Sequence, residues 1–431
     1  MNSLTIEDLK QHAIEFVTAL VKNDFASAVS RFDDVLKNAL PQDKLKDYWN
    51  TLNSQAGSIQ QITGISTAEM QGYRIVFVTC KFGWANMDVQ VVFNDSGLIS
   101  GINFLPANDI SSTTSTYKPP EYADQSAFRE YEINVDTGEW TLPGTITMPV
   151  GDGPFPGVVL VHGSGPNDRD ETLGPNKPFK DLAWGLASQG VAVLRYEKRT
   201  KAHPEKFKAV YGQNCTVKEE VIDDALSSIR ILREYPNVDP DRVFLLGHSI
   251  GGSIVPRIGK HDTGLAGLII MAGSTIPMED SALAQVTYIY SLSGQLTEQQ
   301  KADIELLKKQ VEKAKDPGLS ADTPSSELPL GIPAMYLMDL HRYHPAEVAK
   351  GLSLRMLILQ GGRDYQVTPE VDFEGWKAAL AGKENVTLKL YPELNHLFFA
   401  GEGRSTPQEY DIEGHVDAEV VHDIARWIIK G

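Results

Sequence analysis

The stretch Gly247-His248-Ser249-Ile250-Gly251 constrains this chain more than any other. It follows the apolar run Val243-Phe244-Leu245-Leu246, which reads as a buried strand. It precedes Ser253-Ile254-Val255-Pro256-Arg257-Ile258, which reads as the start of a helix. A strand, a G-x-S-x-G turn and a helix are the context of a nucleophile elbow. Such a turn holds the serine in a strained backbone conformation with its hydroxyl projecting outward. A side chain at Gly247 or Gly251 would collide with the neighbouring strand or helix.

The surrounding sequence alternates strand and helix patterns from about residue 128 onward. Phe128 to Val135 and Trp140 to Met148 read as two initial strands. Gly157 to His162, Val191 to Tyr196, Leu268 to Met271, Met356 to Leu359 and Val386 to Leu390 continue the series. Between them, Val217 to Arg233 places Val221, Ala225, Ile229 and Leu232 on one helical face. Such alternation predicts a mostly parallel sheet with helices on both faces, an α/β fold. Residues 276–350 interrupt it with an amphipathic helix carrying Ile304, Leu307, Val311 and Ala314. This insertion is expected to form a helical cap over the catalytic face, with Tyr288, Met335 and Tyr336 placed to bind substrate in an acyl pocket.

Residues 1–110 follow another pattern. Ile6, Leu9, Ala13, Phe16, Val17 and Leu20 recur at helical spacing, a second helix is expected over 26–40, and a third starts near Pro41. Strands are expected at Tyr73–Cys80, at Met87–Phe93 and, after the turn Asn94-Asp95-Ser96-Gly97, at Leu98–Phe104. Helices followed by antiparallel strands make an α+β unit. The order of elements resembles the small cone-shaped domain of the nuclear transport factor 2-like superfamily. The expected role is packing or dimerisation, which leaves a homo-oligomer open. A linker is expected over 111–127, because Ser111 to Thr116 and Lys118-Pro119-Pro120 are polar and proline-containing.

A serine hydroxyl needs a base to take its proton, and the base needs a carboxylate to orient it. The expected chain order is serine, acid, histidine. Asp364 follows the strand Met356–Leu359, and His396 follows the strand ending near Tyr391, so Ser249, Asp364 and His396 all fall in loops after strands. His341 and His344 precede the acid, and His415 and His422 lie in or beside the terminal helix. The oxyanion donors are expected to be the backbone N–H groups of Ile250 and of Ser164 in His162-Gly163-Ser164-Gly165-Pro166. The acidic run Asp168, Asp170, Glu171 contains Arg169 and lacks a calcium-binding loop's ligand set. Lys198 and Arg199 could receive an acidic substrate group or pair with that run, and pairing is the expectation. No metal and no cofactor is implied.

The net charge of −17 leaves no basic footprint for nucleic acid or an anionic membrane surface. The 431 residues suit two domains. The N-terminus lacks a signal-peptide pattern, so the chain reads as cytoplasmic or as a mature exported form. Cys80 and Cys215 fall in different domains, where a disulfide is not expected.

The motifs His162 to Glu171, Arg195-Tyr196-Glu197-Lys198-Arg199, the G-H-S-I-G turn and Gln360-Gly361-Gly362-Arg363-Asp364-Tyr365 agree in order and spacing with a known group. Over residues 128–431 the chain resembles bacterial α/β-hydrolase fold serine esterases, near the dienelactone-hydrolase-related and EstD-type groups. The resemblance implies an α/β-hydrolase domain preceded by a cone domain, acting on short-chain carboxylic esters. Dienelactone hydrolases use a cysteine nucleophile, so Ser249 points away from that chemistry. The expectation is therefore a serine carboxylesterase whose partner is a small-molecule ester. An acyl-CoA thioesterase or peptidase on the same triad, and a non-catalytic binding protein on a hydrolase scaffold, are the alternatives.

Overall fold

The computed structural model describes residues 5–70, 73–83, 85–106 and 117–430. The polar stretch Ser111 to Thr116 of the expected linker lies outside them. The chain divides into two compact units, residues 1–113 with 286–334 and residues 114–285 with 335–431.

In the first unit, Thr5 and Asp8 form a capping box at the start of helix Ile6–Val21, which buries Leu9, Ala13, Phe16, Val17 and Leu20. The single helix expected over 26–40 is instead two, Phe25–Ser30 and Asp34–Ala39. Between them the backbone is drawn into sheet pairing, with Asp33 N–H donating to the Ile99 carbonyl at 2.8 Å. The Asp33 carboxylate then accepts from Leu36 N–H at 2.8 Å and restarts the helix. Helix Gln42–Ala56 follows Pro41. The strands β1 (Gln61–Met70), β2 (Tyr73–Lys81), β3 (Asn86–Phe93) and β4 (Ile99–Pro106) form an antiparallel sheet in that order. β1 has no continuous apolar run, and the sequence reading did not anticipate it. Phe16 and Trp49 from the helices share one core with Val76, Val78, Val89 and Val91 from the sheet.

Residues 286–334 belong to this unit, which redraws the insertion expected at 276–350. Helix Glu298–Ala314 buries Ile304, Leu307, Val311 and Ala314. Its Asp303 accepts from the hydroxyls of Ser58 at 2.8 Å and Tyr290 at 2.7 Å. An apolar face and a buried carboxylate both need partners, and the first unit supplies them. Only 276–285 and 335–350 fall in the second unit. A chain beginning at Tyr117 should therefore leave 286–334 unfolded. Each of Ile304, Leu307 and Val311 would lose about 1.5–3 kcal/mol of burial, and a lone helix of this length is marginal in water. Limited proteolysis checks this, and 286–334 remaining protected in the shortened chain would contradict it.

The second unit is built on an eight-stranded sheet of order β12-β11-β10-β9-β7-β8-β6-β5. Its strands are β5 (Phe128–Thr137), β6 (Trp140–Pro149), β7 (Phe155–Val161), β8 (Ala192–Tyr196), β9 (Val238–His248), β10 (Gly267–Met271), β11 (Arg355–Gly361) and β12 (Val386–Tyr391). β5, β6 and β8 pair antiparallel, and the remaining pairs are parallel. Five consecutive residues of β10 are buried, as a strand covered on both faces requires. Helix Pro178–Ala187 packs with the terminal helix Ala418–Ile429, while helices Asp223–Glu234 and Ile250–His261 pack on β9. The chain leaves β7 for β8 on one side and returns to β9 on the other. The crevice at the C-terminal ends of β7 and β9 is therefore the topological switch point, where open α/β sheets bind ligands. Cys80 and Cys215 are free and buried, one in each unit. No described helix is long and apolar enough to cross a membrane.

Candidate active site

Ser249 stands at the end of β9 and caps helix Ile250–His261 with φ 55° and ψ −122°. A non-glycine residue in that region costs about 1–3 kcal/mol. The turn is held by close packing. A Cβ on Gly251 would come within 2.3 Å of the Val161 carbonyl oxygen, so the helix start and β7 can meet only over glycine. The Ser249 N–H donates to the Met271 carbonyl at 2.9 Å, tying the elbow to β10. Ile250 is the first residue of its helix, so its N–H has no partner inside the helix.

The loop after β7 lies against the elbow. A Cβ on Gly163 would sit 3.2 Å from Ser249 Cβ. Gly163 N–H is already used, donating to Glu171 Oε1 at 2.5 Å. Asn167 Nδ2 donates to the carbonyls of Gly163 at 3.1 Å and Ser164 at 3.0 Å and fixes the loop's curl. Lys198 Nζ donates to the same Gly163 carbonyl at 3.1 Å. Ser164, the next residue of the loop, is exposed.

Asp364 and His396 meet at the ends of β11 and β12. Asp364 Oδ2 accepts from His396 Nδ1 at 2.7 Å and from Gln360 Nε2 at 3.0 Å. Asp364 Oδ1 accepts from the N–H groups of Gln366 at 2.8 Å and Val367 at 3.0 Å. Four donors around one buried carboxylate leave it no room to rotate, so the imidazole it holds is also fixed. Asn395 shapes the histidine loop by accepting from the N–H groups of Leu397 at 3.0 Å and Phe399 at 3.1 Å. The ring of His396 lies 4.7 Å from that of His248, the residue immediately before Ser249, so the Asp364–His396 pair stands beside the elbow.

Several side chains depart from the sequence reading. Lys198 and Arg199 do pair, but not with the acidic run. Lys198 donates to Glu220 at 2.6 Å, and Arg199 Nε donates to Asp224 Oδ2 at 2.9 Å. Glu220 and Asp224 are one helical turn apart, a spacing that could have signalled this double pairing. The acidic run is engaged elsewhere, Asp170 by Arg195 and Lys177, and Glu171 by His248. Tyr336 is buried, and burial raises its pKa well above the usual phenol range, with the Glu220 carboxylate adding to the shift. Met335 is half-buried in the same unit, whereas Tyr288 belongs to the first unit. His341 pairs with Glu279 at 3.0 Å, and His415 pairs with Asp181 at 3.1 Å. Among the described residues no three His, Cys, Asp or Glu side chains converge as a metal site.

Residues 158–403 match the family model described as serine aminopeptidase, S33. That span holds the elbow, the carboxylate and the histidine. The chain belongs to this serine aminopeptidase family. It is 41% identical to esterase EstD of Thermotoga maritima over 97% of this chain and 95% of that protein. Residues 13–102 match a separate domain of unknown function, DUF3887. Among solved structures, Est1E from Butyrivibrio proteoclasticus is similar with a TM-score of 0.44 and 15% identity, over 70% of this chain and 99% of that one. A dienelactone hydrolase from Anabaena variabilis is similar with a TM-score of 0.40 and 16% identity, over 70% of this chain and 98% of that one. This member of the serine aminopeptidase family is a hydrolase of α/β-hydrolase fold, preceded by a small α+β domain.

Proposed function

We propose that this hydrolase is a serine carboxylesterase acting on short-chain esters through Ser249, His396 and Asp364. The observation that carries the reading is the 2.7 Å bond from His396 Nδ1 to a four-fold anchored Asp364, beside a serine at φ 55°. Its kinship with an esterase over nearly the whole chain supports the choice of substrate class.

In this mechanism His396 Nε2 takes the Ser249 proton as the hydroxyl oxygen attacks the ester carbonyl. Asp364 keeps the other ring nitrogen protonated and stabilises the imidazolium that forms. The N–H groups of Ile250 and Ser164 receive the developing oxyanion. His396 then protonates the departing alcohol. Water, deprotonated by the same histidine, attacks the acyl-enzyme and releases the acid. A fluorophosphonate probe tests the nucleophile directly: stoichiometric labelling at Ser249 is expected, and labelling elsewhere or none would defeat the assignment. The family name favours a second reading, amide hydrolysis on the same triad, and amine release from peptide substrates would support it.

Met335 is proposed as part of the acyl-pocket wall. Its half-buried thioether can repack around chains of different length. Met335→Ala should shift the optimum in an ester chain-length series by one or more carbons. An unchanged series would remove Met335 from the wall.

A further inference from the structure

Resting on the esterase reading above, the geometry points to His248 as a positioning residue that is protonated at neutral pH, an imidazolium that locks the oxyanion loop and the His396 loop to the elbow. His248 occupies the second position of G-H-S-I-G and is buried. Its Nδ1 lies 2.9 Å from Glu171 Oε2, and its Nε2 lies 2.9 Å from the backbone carbonyl oxygen of His396. A carbonyl oxygen only accepts. Glu171 Oε1 takes the Gly163 N–H, and an ionised carboxylate only accepts. Both ring nitrogens of His248 must then donate, which a neutral imidazole cannot do.

The charges nearby agree. Burial works against a cation at His248, but the Glu171 carboxylate, its hydrogen bond and the His396 carbonyl outweigh it and hold the imidazole above its ordinary range. For Glu171, burial raises the pKa, and the facing His248, together with His162 and the Gly163 N–H, more than offsets it, leaving the carboxyl below its usual range. Asp364, at the end of β11, adds attraction. His162, at the end of β7, is the other histidine beside Glu171. Burial pushes it down to about 4, so it is neutral at pH 7. Lys198 reaches the Gly163 carbonyl and is itself balanced by Glu220.

The consequence is mechanical. Glu171 fixes the Gly163 end of the loop that carries Ser164. His248 fixes the peptide of His396, while Asp364 fixes its ring. One ion pair therefore spaces the proposed oxyanion donor, the nucleophile and the base against one another. Misplacing such groups by about 1 Å costs on the order of a hundredfold. Because the folded pKa of His248 is raised, the pair is intact below that pKa and comes apart as pH rises through it. That predicts a fall in kcat on the alkaline side.

Two measurements on the full chain test this. In protein labelled with 15N-histidine, the His248 signals, assigned by their loss in His248→Gln, should show two protonated ring nitrogens at neutral pH. One unprotonated nitrogen would overturn the proposal. In steady-state kinetics on a small activated ester, His248→Gln should lose kcat by roughly tenfold to a hundredfold with KM little changed, since one amide cannot donate in two divergent directions. Glu171→Gln keeps an acceptor for Gly163 N–H but removes the charge, and serves if His248→Gln fails to fold. Its alkaline limb should move to lower pH by a unit or more. A limb that stays in place in Glu171→Gln would also overturn the proposal. Two protonated nitrogens in a wild-type chain without ester turnover would uphold the imidazolium while overturning the esterase reading on which its catalytic role rests.

Discussion

Replacing Ser249 with alanine is expected to lower ester turnover by about a thousandfold or more, with the fold unchanged. The hydroxyl is the only group removed. The backbone strain at φ 55° is held by Gly251 packing under the Val161 carbonyl and by the Ser249 N–H bond to Met271, neither of which involves the side chain. Alanine tolerates that backbone no better than serine, so the melting temperature should change little. The residual rate would come from the oxyanion donors and substrate positioning alone. The measurement is kcat on a small activated ester, alongside circular dichroism. A variant that keeps near-normal turnover would mean that another residue attacks.

Asp364→Asn should have a comparable or larger effect, a loss on the order of ten-thousandfold in kcat. The size follows from which end of the new amide faces the histidine. Two backbone N–H groups, of Gln366 and Val367, point at the Oδ1 position, so the amide oxygen must stay there. The NH2 group is forced into the Oδ2 position, 2.7 Å from His396 Nδ1. It donates to that nitrogen and drives the ring proton to Nε2, the nitrogen that must accept from serine. The imidazole remains in place in the wrong tautomer, and Gln360 Nε2 keeps only its backbone acceptors, the carbonyls of Val367 and Gly361. Labelling of Ser249 by a fluorophosphonate should slow in parallel with turnover. A rate within tenfold of wild type would show that Asp364 is not the orienting acid.

Much of this site is legible in the chain because parallel strands share a direction. Every loop that follows a strand in such a sheet emerges at one edge, so residues 115 and 32 positions apart converge without further information. That reasoning singles out Ser249, Asp364 and His396 as candidates, and Ser164 through the glycine-rich turn after β7. It did not reach Gln360 or His248. Gln360 lies inside a buried strand, where an amide reads as a polar exception. The partners of His248 lie 77 and 148 residues away in the sequence.

The misread stretches have similar causes. Periodicity over 26–40 predicted one helix, yet a backbone bond from Asp33 to β4, far along the chain, interrupts it. The helix at 298–314, expected as part of a cap, has an apolar face that needs a partner but does not say which one. Asp303 answers through Ser58, 245 residues distant.

By itself, the sequence indicated the strands of the second unit and their order, the G-x-S-x-G turn and the serine–acid–histidine candidates. These follow from rules that act over a few residues: side-chain period, turn chemistry and capping. Only the tertiary structure decided partners. It gave Lys198 to Glu220, Glu171 to His248 and residues 286–334 to the first unit. The physical reason is that buried charges and apolar faces are satisfied by whatever group folding brings within about 3–4 Å. That proximity is a property of the packed chain, and no short stretch of sequence encodes it.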